Sequence, residues 1–201
     1  MTTALALETA KGVVVGFDSL MVTFDDDGNV VQKSVLPSSA TKLVNCDDYA
    51  IVVAGDARAL NLLQFCFDPP PLSNVITRTA CDKWLATVLV PSIKELFEDN
   101  DYAVGGTSDK TATYSSQLLV ATPQYAYVIE GDYGWAAERS GIYAIGTGSE
   151  YAMGACHALK TDAIWDNAKQ ATSVVEKAIK IAASLDPYTG GVVRTHLVKG
   201  D

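Results

Sequence analysis

The sequence predicts an α+β protein. Two antiparallel sheets face each other and helices cover both outer faces, a four-layer αββα sandwich in one domain spanning residues 1–201. Three observations carry this. Short β-prone runs punctuated by turn residues open the chain and return in its second half. Blocks with helical spacing of apolar residues follow each set of strands. No linker, internal repeat or low-complexity tract interrupts the series. Elements in this order bury their apolar faces by stacking sheet on sheet with helix pairs outside.

Residues 3–7 and 13–17 are β-prone runs separated by the turn signal Lys11-Gly12. Residues 22–24 and 30–31 flank Asp25-Asp26-Asp27-Gly28-Asn29, a hairpin tip with Asp-Gly chemistry. Those aspartates lack the spacing of a Ca²⁺ loop and read as a solvated turn. Residues 43–46 and 49–53 form another strand pair around Asp47-Asp48. The period then changes to helical over 56–67, ended by Pro69-Pro70-Pro71, and again over 75–97, with a kink at Pro91. Gly105-Gly106-Thr107-Ser108-Asp109 is a loop. Strands resume at 117–122, 125–130 and 143–145. Helices follow at 150–159 and 173–184, the second opening on Ser173-Val-Val-Glu176, a capping-box spacing. Residues 192–198 close the chain as a strand.

Composition narrows the function. Hydrophobic residues make up 48% and charged residues 19%, globular values. The net charge of −9 argues against nucleic acid as a partner, because phosphate neutralisation needs a basic face. The longest apolar runs are strand-sized, and no basic segment with a long apolar stretch opens the chain, so neither a membrane span nor a signal peptide is expected. Cys46, Cys66, Cys81 and Cys156 have no CxxC spacing and read as buried small hydrophobes. With only His157 and His196 beside them, a zinc site or a His-based catalytic set is hard to build. Both histidines read as structural.

The informative chemistry is at the start. If Met1 is removed, Thr2 presents a hydroxyl and a free α-amine on neighbouring atoms, a nucleophile carrying its own base. An α-amine titrates near pH ~8, so a useful fraction is neutral at pH 7. Thr2 is small enough for a methionine aminopeptidase to expose it, and no propeptide is required. A retained methionine would block the amine.

Five stretches in order carry a family resemblance over nearly the whole chain. They are Thr2-Thr3, Gly-Val-Val-Val-Gly-Phe-Asp18-Ser, Thr-Lys42-Leu-Val-Asn followed by Ala54-Gly55-Asp56-Ala57, Ile145-Gly146-Thr147-Gly148-Ser149, and Asp186-Pro-Tyr-Thr189-Gly190-Gly191. Together they resemble the proteasome β-subunit family of N-terminal-nucleophile hydrolases, which includes the peptidase of the bacterial two-component heat-shock protease and its phage-encoded relatives. The resemblance implies the N-terminal-nucleophile hydrolase form of the αββα sandwich and a self-compartmentalised threonine endopeptidase. Thr2 is implied as the nucleophile, Lys42 as the cation that eases proton removal, and Asp18 as its anchor. Gly55 is implied as the oxyanion donor, with Thr147, Asp186 and Thr189 as a hydrogen-bonded cluster orienting the amine. No cofactor is needed for the chemistry. A monovalent cation held by the backbone carbonyls of Ala183, Asp186 and Thr189 is a further implication.

The departures are specific. The interval from Asp18 to Lys42 is longer than is usual in the family, and Lys33 lies nearer the usual spacing. Lys42 is preferred because the apolar strand after it matches the family. Thr147 replaces the usual serine, and Asp186 follows the proteasomal rather than the bacterial pattern. Implied partners are peptide substrates, further copies in a ring or spiral of at least about six subunits, and an ATP-dependent unfoldase. The implied location is cytoplasmic, or the host cytoplasm for a phage-encoded protein. The helix over 75–97 is the candidate subunit contact. Two alternatives stay open: a non-catalytic assembly subunit, and an N-terminal-nucleophile amidase or acyltransferase acting on a small molecule.

Overall fold

The computed structural model describes residues 2–25, 27–72, 77–103, 113–161 and 164–199. Met1, Asp26, the first two residues of the helix expected over 75–97 and the loop expected at 105–109 lie outside the described residues.

Two antiparallel sheets form the centre. The first has the order β10-β1-β2-β11, built from β1 (Thr3–Thr9), β2 (Gly12–Phe17), β10 (Ile142–Gly146) and β11 (Arg194–Val198). The second has the order β5-β6-β7-β8-β9, from β5 (Leu43–Asn45), β6 (Ala50–Ala54), β7 (Gln117–Ala121), β8 (Ala126–Ile129) and β9 (Trp135–Ala136). A separate hairpin pairs β3 (Leu20–Phe24) with β4 (Val30–Val35). Its tip is an Asp25 turn: the Asp25 carboxylate accepts the N–H groups of Asp27 and Asn29.

Side-chain alternation explains the layering. On β1, Ala4 and Ala6 face the second sheet while Leu5 and Leu7 face helices, so both faces of the strand are buried. The layer between the sheets is rich in small residues: Ala50, Ala54, Ala121 and Ala126 meet Ala4, Ala6, Val13 and Val15. Larger side chains point outward. Ile51, Val53, Leu118 and Val120 pack under α1 (Ala57–Phe65), α2 (Arg78–Trp84) and α3 (Val90–Asp99). Leu5, Leu7 and Val14 pack under α4 (Ser149–Leu159) and α5 (Ala168–Leu185). The architecture is the expected αββα sandwich.

Four expectations are corrected. α5 begins at Ala168, not at Ser173, because Asn167 caps it by accepting the N–H of Gln170. Ser173 and Glu176 are interior to the helix, and Glu176 pairs with Lys180 one turn on. The kink expected at Pro91 is a π-helical segment, Leu85–Leu89, in which the Val90 N–H reaches the Leu85 carbonyl. Proline cannot donate to the preceding turn, and the Ser92 hydroxyl instead donates to the Val88 carbonyl at 2.9 Å. The helical stretch from Arg78 to Asp99 leaves no large apolar face for a neighbour: Cys81, Trp84, Leu85, Leu89, Ile93 and Phe97 are all buried in the subunit's own core. Exposed large apolar residues lie elsewhere, notably Phe65, Val31, Val192, Leu185 and Trp165. Finally, Cys66 is exposed, while Cys46, Cys81 and Cys156 are buried as expected.

Among the described residues no helix is long and apolar enough to cross a membrane. The packing of α5 on the first sheet makes one site exacting. A side chain on Gly16 would overlap Val175 Cγ1 and come within 2.8 Å of Ile179 Cδ1. Gly16→Ala should therefore destabilise the fold by about 1–3 kcal/mol, as overpacking does. Urea unfolding of the two proteins measures it, and an unchanged midpoint would contradict the close packing of α5 on β2.

Candidate active site

Strand register assembles the site. Thr3 pairs with Gly146 on β10, and Ala4 with Phe17 on β2, so the start of β1 lies beside both Gly146-Thr147 and Asp18. The Asp18 N–H closes this corner on the Thr3 carbonyl.

Asp18 is fully buried and takes four hydrogen bonds. Its Oδ1 accepts the Thr3 N–H at 3.0 Å and the Lys42 Nζ at 2.8 Å. Its Oδ2 accepts the N–H groups of Leu20 at 3.2 Å and Gly190 at 3.0 Å. A carboxylate has about four acceptor positions, so this one is saturated. Lys42 is 1% exposed and also donates to the Leu20 carbonyl at 2.7 Å. Burial holds its pKa below the usual lysine value, opposed by the charge and hydrogen bond of Asp18. Lys33 is elsewhere: it is exposed and donates to the Pro187 carbonyl. The longer interval between Asp18 and Lys42 is taken up by the β3–β4 hairpin.

A second cluster lies on the other side of Thr3. Thr147 Oγ and Thr189 Oγ both donate to Asp186 Oδ2, at 2.7 and 2.5 Å. Asp186 Oδ1 accepts the Tyr188 N–H. Asp186 follows α5 directly, and Thr147 precedes α4, so these two helices set the spacing of the cluster.

Thr2 is buried and borders a cavity of about 350 Å³ together with Gly55, Thr147, Gly146, Tyr114, Ser116, Gln117 and Gly131. Two glycines shape this cavity. Gly55 has φ +137° and Gly146 φ +87°, regions that disfavour side chains. A Cβ on Gly146 would overlap the Thr2 carbonyl oxygen, and one on Gly55 would overlap Ser116. Gln117 ties the two sheets together here, its Oε1 accepting the Gly146 N–H at 3.1 Å.

The structure thus gathers Asp18 with Lys42, Asp186 with Thr147 and Thr189, and Thr2 with Gly55 and Thr147. Sequence reasoning missed three contributors. Thr3 joins both clusters through its backbone and its hydroxyl. The Leu20 carbonyl holds Lys42. Ser116 supports the Gly55 turn by accepting the Asp56 N–H and bonding the Tyr102 hydroxyl. Only Thr3 left a sequence signal, its place beside Thr2 on a strand buried on both faces. Ala183 lies in the last turn of α5, Asp186 is its C-cap and Thr189 follows three residues on. The Asp186 carbonyl also accepts the Thr189 N–H. Among the described residues no three His, Cys, Asp or Glu side chains cluster as a metal site. His157 is exposed on α4, and His196 is half-buried on β11, where burial lowers its pKa.

A scan against protein-family models finds no match, and a search of curated proteins finds no relative. Solved structures do match. BPH from Thiobacillus denitrificans, in a complex with epoxomicin, has a TM-score of 0.74 at 17% identity over 98% of each chain. HslV from Trypanosoma brucei has a TM-score of 0.64 at 23% identity, over 98% of this chain and 99% of that one. The Anbu complex of Pseudomonas aeruginosa, a helical assembly, gives 0.64 at 14% identity, over 97% of this chain and 80% of its own. At these identities the likeness is one of fold. The chain has the proteasome-like fold, the sandwich of the N-terminal-nucleophile hydrolases.

The buried pair sets a stability prediction. Lys42→Met should cost about 3–5 kcal/mol, because it strands the Asp18 charge out of water. Adding Asp18→Asn should recover part of that loss. Lys33→Ala should stay within about 0.5 kcal/mol of the parent. Denaturant unfolding of the four proteins tests this, and equal effects at Lys33 and Lys42 would contradict the geometry.

Proposed function

We propose that the protein is a threonine-type endopeptidase acting on unfolded or peptide substrates once Met1 is removed. The observation that carries the reading is the buried Asp18–Lys42 pair at the start of β1, next to the residue that borders the cavity. A buried ion pair is seldom the most stable filling for such a space; apolar residues of similar volume often serve as well or better. Its presence beside a buried threonine fits chemistry better than scaffolding.

The residues would divide the work as follows. Thr2 Oγ attacks the substrate carbonyl while its proton passes to the Thr2 α-amine. The Lys42 charge favours the developing alkoxide. The oxyanion of the tetrahedral intermediate takes the Gly55 N–H, a kind of contact worth ~2.7–4 kcal/mol in other acyl transfers. Thr147, Asp186 and Thr189 hold the amine. The C–N bond then breaks, and the ammonium returns its proton to the leaving amine. An ester on Thr2 remains; water, deprotonated by the same amine, attacks it, and the ammonium returns that proton to Thr2 Oγ as the acid is released. A monovalent cation on the carbonyls of Ala183, Asp186 and Thr189 would stiffen the turn that carries the cluster.

Assembly belongs to the same proposal. Phe65, at 79% exposure, with Trp165, Leu185 and Val192, leaves apolar surface suited to neighbouring copies. A ring or spiral, fed by an ATP-dependent unfoldase, would enclose Thr2. The helical assembly of the Pseudomonas Anbu complex supports this reading. Sedimentation at micromolar concentration should show a species well above the monomer.

Thr2→Ala should lower hydrolysis of fluorogenic peptides by at least about 100-fold, and Thr2→Ser should keep part of it. Residual activity in Thr2→Ala equal to the parent would remove Thr2 as nucleophile. A peptide epoxyketone, the class of epoxomicin, needs both hydroxyl and amine. Its mass should add only to chains that begin at Thr2. An active parent should also show a rate that rises with pH toward ~8, because the amine must lose its proton to act as a base. A rate flat from about pH 6 to 9 would place the base elsewhere. Absence of both labelling and hydrolysis in chains beginning at Thr2 would favour the non-catalytic assembly subunit.

A further inference from the structure

The two ends of α5 carry surface features of opposite charge. At the N-terminal end lies a cavity of about 490 Å³ whose lining includes Lys11, Gly12, Tyr125, Trp165 and Lys199. The Trp165 carbonyl, three residues before the helix, accepts the Ala10 N–H at 2.8 Å, which ties this cavity to the β1–β2 turn. Lys11 and Lys199 are both exposed, and they are the charged side chains among the described residues lining it. Trp165 is half-exposed beside them. In a chain of net charge −9 this is a local reversal of sign.

The C-terminal end of α5 meets the β3–β4 hairpin. The Phe24 and Tyr188 rings lie 5.7 Å apart, and Lys33 donates to the Pro187 carbonyl at 2.7 Å. These contacts brace a tip that carries the longest run of consecutive acidic residues in the chain, Asp25-Asp26-Asp27. The Asp25 carboxylate shapes the turn by accepting the Asp27 and Asn29 N–H groups, and Asp27 is exposed. Val31, just beyond the tip on β4, is a largely exposed apolar residue.

The tip cannot reach the cavity of its own subunit. The 18 residues of α5 hold the two ends about 27 Å apart. β2 separates them in the same sense, since Gly12 lines the cavity and Phe17 leads through Asp18 into β3. A second copy can bring tip and cavity together. They are different patches, so their contact is heterologous and repeats from copy to copy into a ring or a helix.

We propose that the hairpin tip of one copy docks in the Lys11–Lys199 cavity of the next, with Asp27 facing the lysines and Val31 packing on Trp165. The contact rests on the self-association proposed above and names the surfaces that make it. A two-stranded tip is narrow, its strands about 5 Å apart, and the cavity has the size of a ligand pocket. Exposed ion pairs are weak one at a time. Here several like charges meet two of opposite sign, an apolar pair lies alongside, and the contact recurs at every subunit.

Sedimentation velocity of the full chain at micromolar concentration tests this with Asp27→Lys and with the double variant Lys11→Glu/Lys199→Glu. All three positions are exposed and lie outside the proposed catalytic set, so the fold should tolerate them. The parent should sediment as a large species, and either variant should weaken association by about tenfold or more. Raising the salt to about 1 M should weaken the parent too, because charges are then screened beyond about 3 Å. Mixing the two variants should restore the large species, since each tip then meets a cavity of opposite charge. A parent that assembles, with both variants unchanged, overturns the contact and leaves self-association to other surfaces. Loss in both variants without recovery on mixing also overturns it, and assigns the lysines to a different acidic partner. A parent that stays monomeric overturns the contact and the self-association together, while the hydrolase reading is judged separately by labelling at Thr2.

Discussion

The Asp18 carboxylate is the point on which the rest of this structure depends. Its donors come from four places far apart in sequence: the first strand through Thr3, its own hairpin through Leu20, the segment before β5 through Lys42, and the C-terminal turn through Gly190. A buried carboxylate tolerates no missing partner, since an ion out of water costs several kcal/mol unless it is paired and hydrogen-bonded. All four segments must therefore be in register at once. That requirement fixes where β1 begins, and hence where Thr2 lies. It also obliges the chain between Asp18 and Lys42 to leave and return, which the β3–β4 hairpin does without disturbing either main sheet.

β1 is pinned at its other end by a second ionic group. Glu8 receives Arg78 through both oxygens, at 2.8 and 3.0 Å, and its Oε1 also accepts the Ala126 N–H. The Arg78 guanidinium lies over the Tyr125 ring at 4.2 Å, adding a cation–π contact. Between the two anchors the strand offers alanines to one side and leucines to the other. The alanines let the sheets approach, and the leucines fill the space under α4 and α5. A strand held at both ends and packed on both faces is a rigid base, as the proposed nucleophile would need in order to stay within a fraction of an ångström of its working position.

Much of this was legible in the sequence, for physical reasons that differ between elements. The β1 and β2 strands show because a turn pair divides two β-prone runs, and the helices over 56–67 and 150–159 show by their spacing. α5 was misplaced at its start because two cap spacings compete: Ser173 and Glu176 sit inside the helix, whereas the true cap, Asn167, has the same spacing to Gln170. β9 has two residues, too few for any periodicity. The Asp18 and Lys42 positions were legible only through a resemblance, since a lone lysine before an apolar run is usually solvated. Thr3 was hidden for another reason. Its role depends on Gly148 and Thr189, over 140 residues away, and no local pattern encodes which way a hydroxyl proton points.

The two carboxylates beside Thr2 carry opposite instructions, and on the proposed reading this is what makes one residue both nucleophile and base. Asp18 is saturated by donors and spends its charge on Lys42, whose ammonium would be the positive group for Thr2 on that reading. Asp186 accepts the hydroxyls of Thr147 and Thr189, so an amine held at that cluster would meet oxygen acceptors. An alkoxide belongs near the first and an ammonium near the second. Proton transfer from the Thr2 hydroxyl to its own amine creates both, a few ångströms apart. Water would screen such a separated pair, whereas burial of Asp18, Lys42, Asp186 and Thr189 would preserve its orientation. A scaffold serving assembly alone would gain little from that asymmetry, because a saturated carboxylate, a second hydrogen-bonded one and a buried lysine add little stability that apolar packing could not supply.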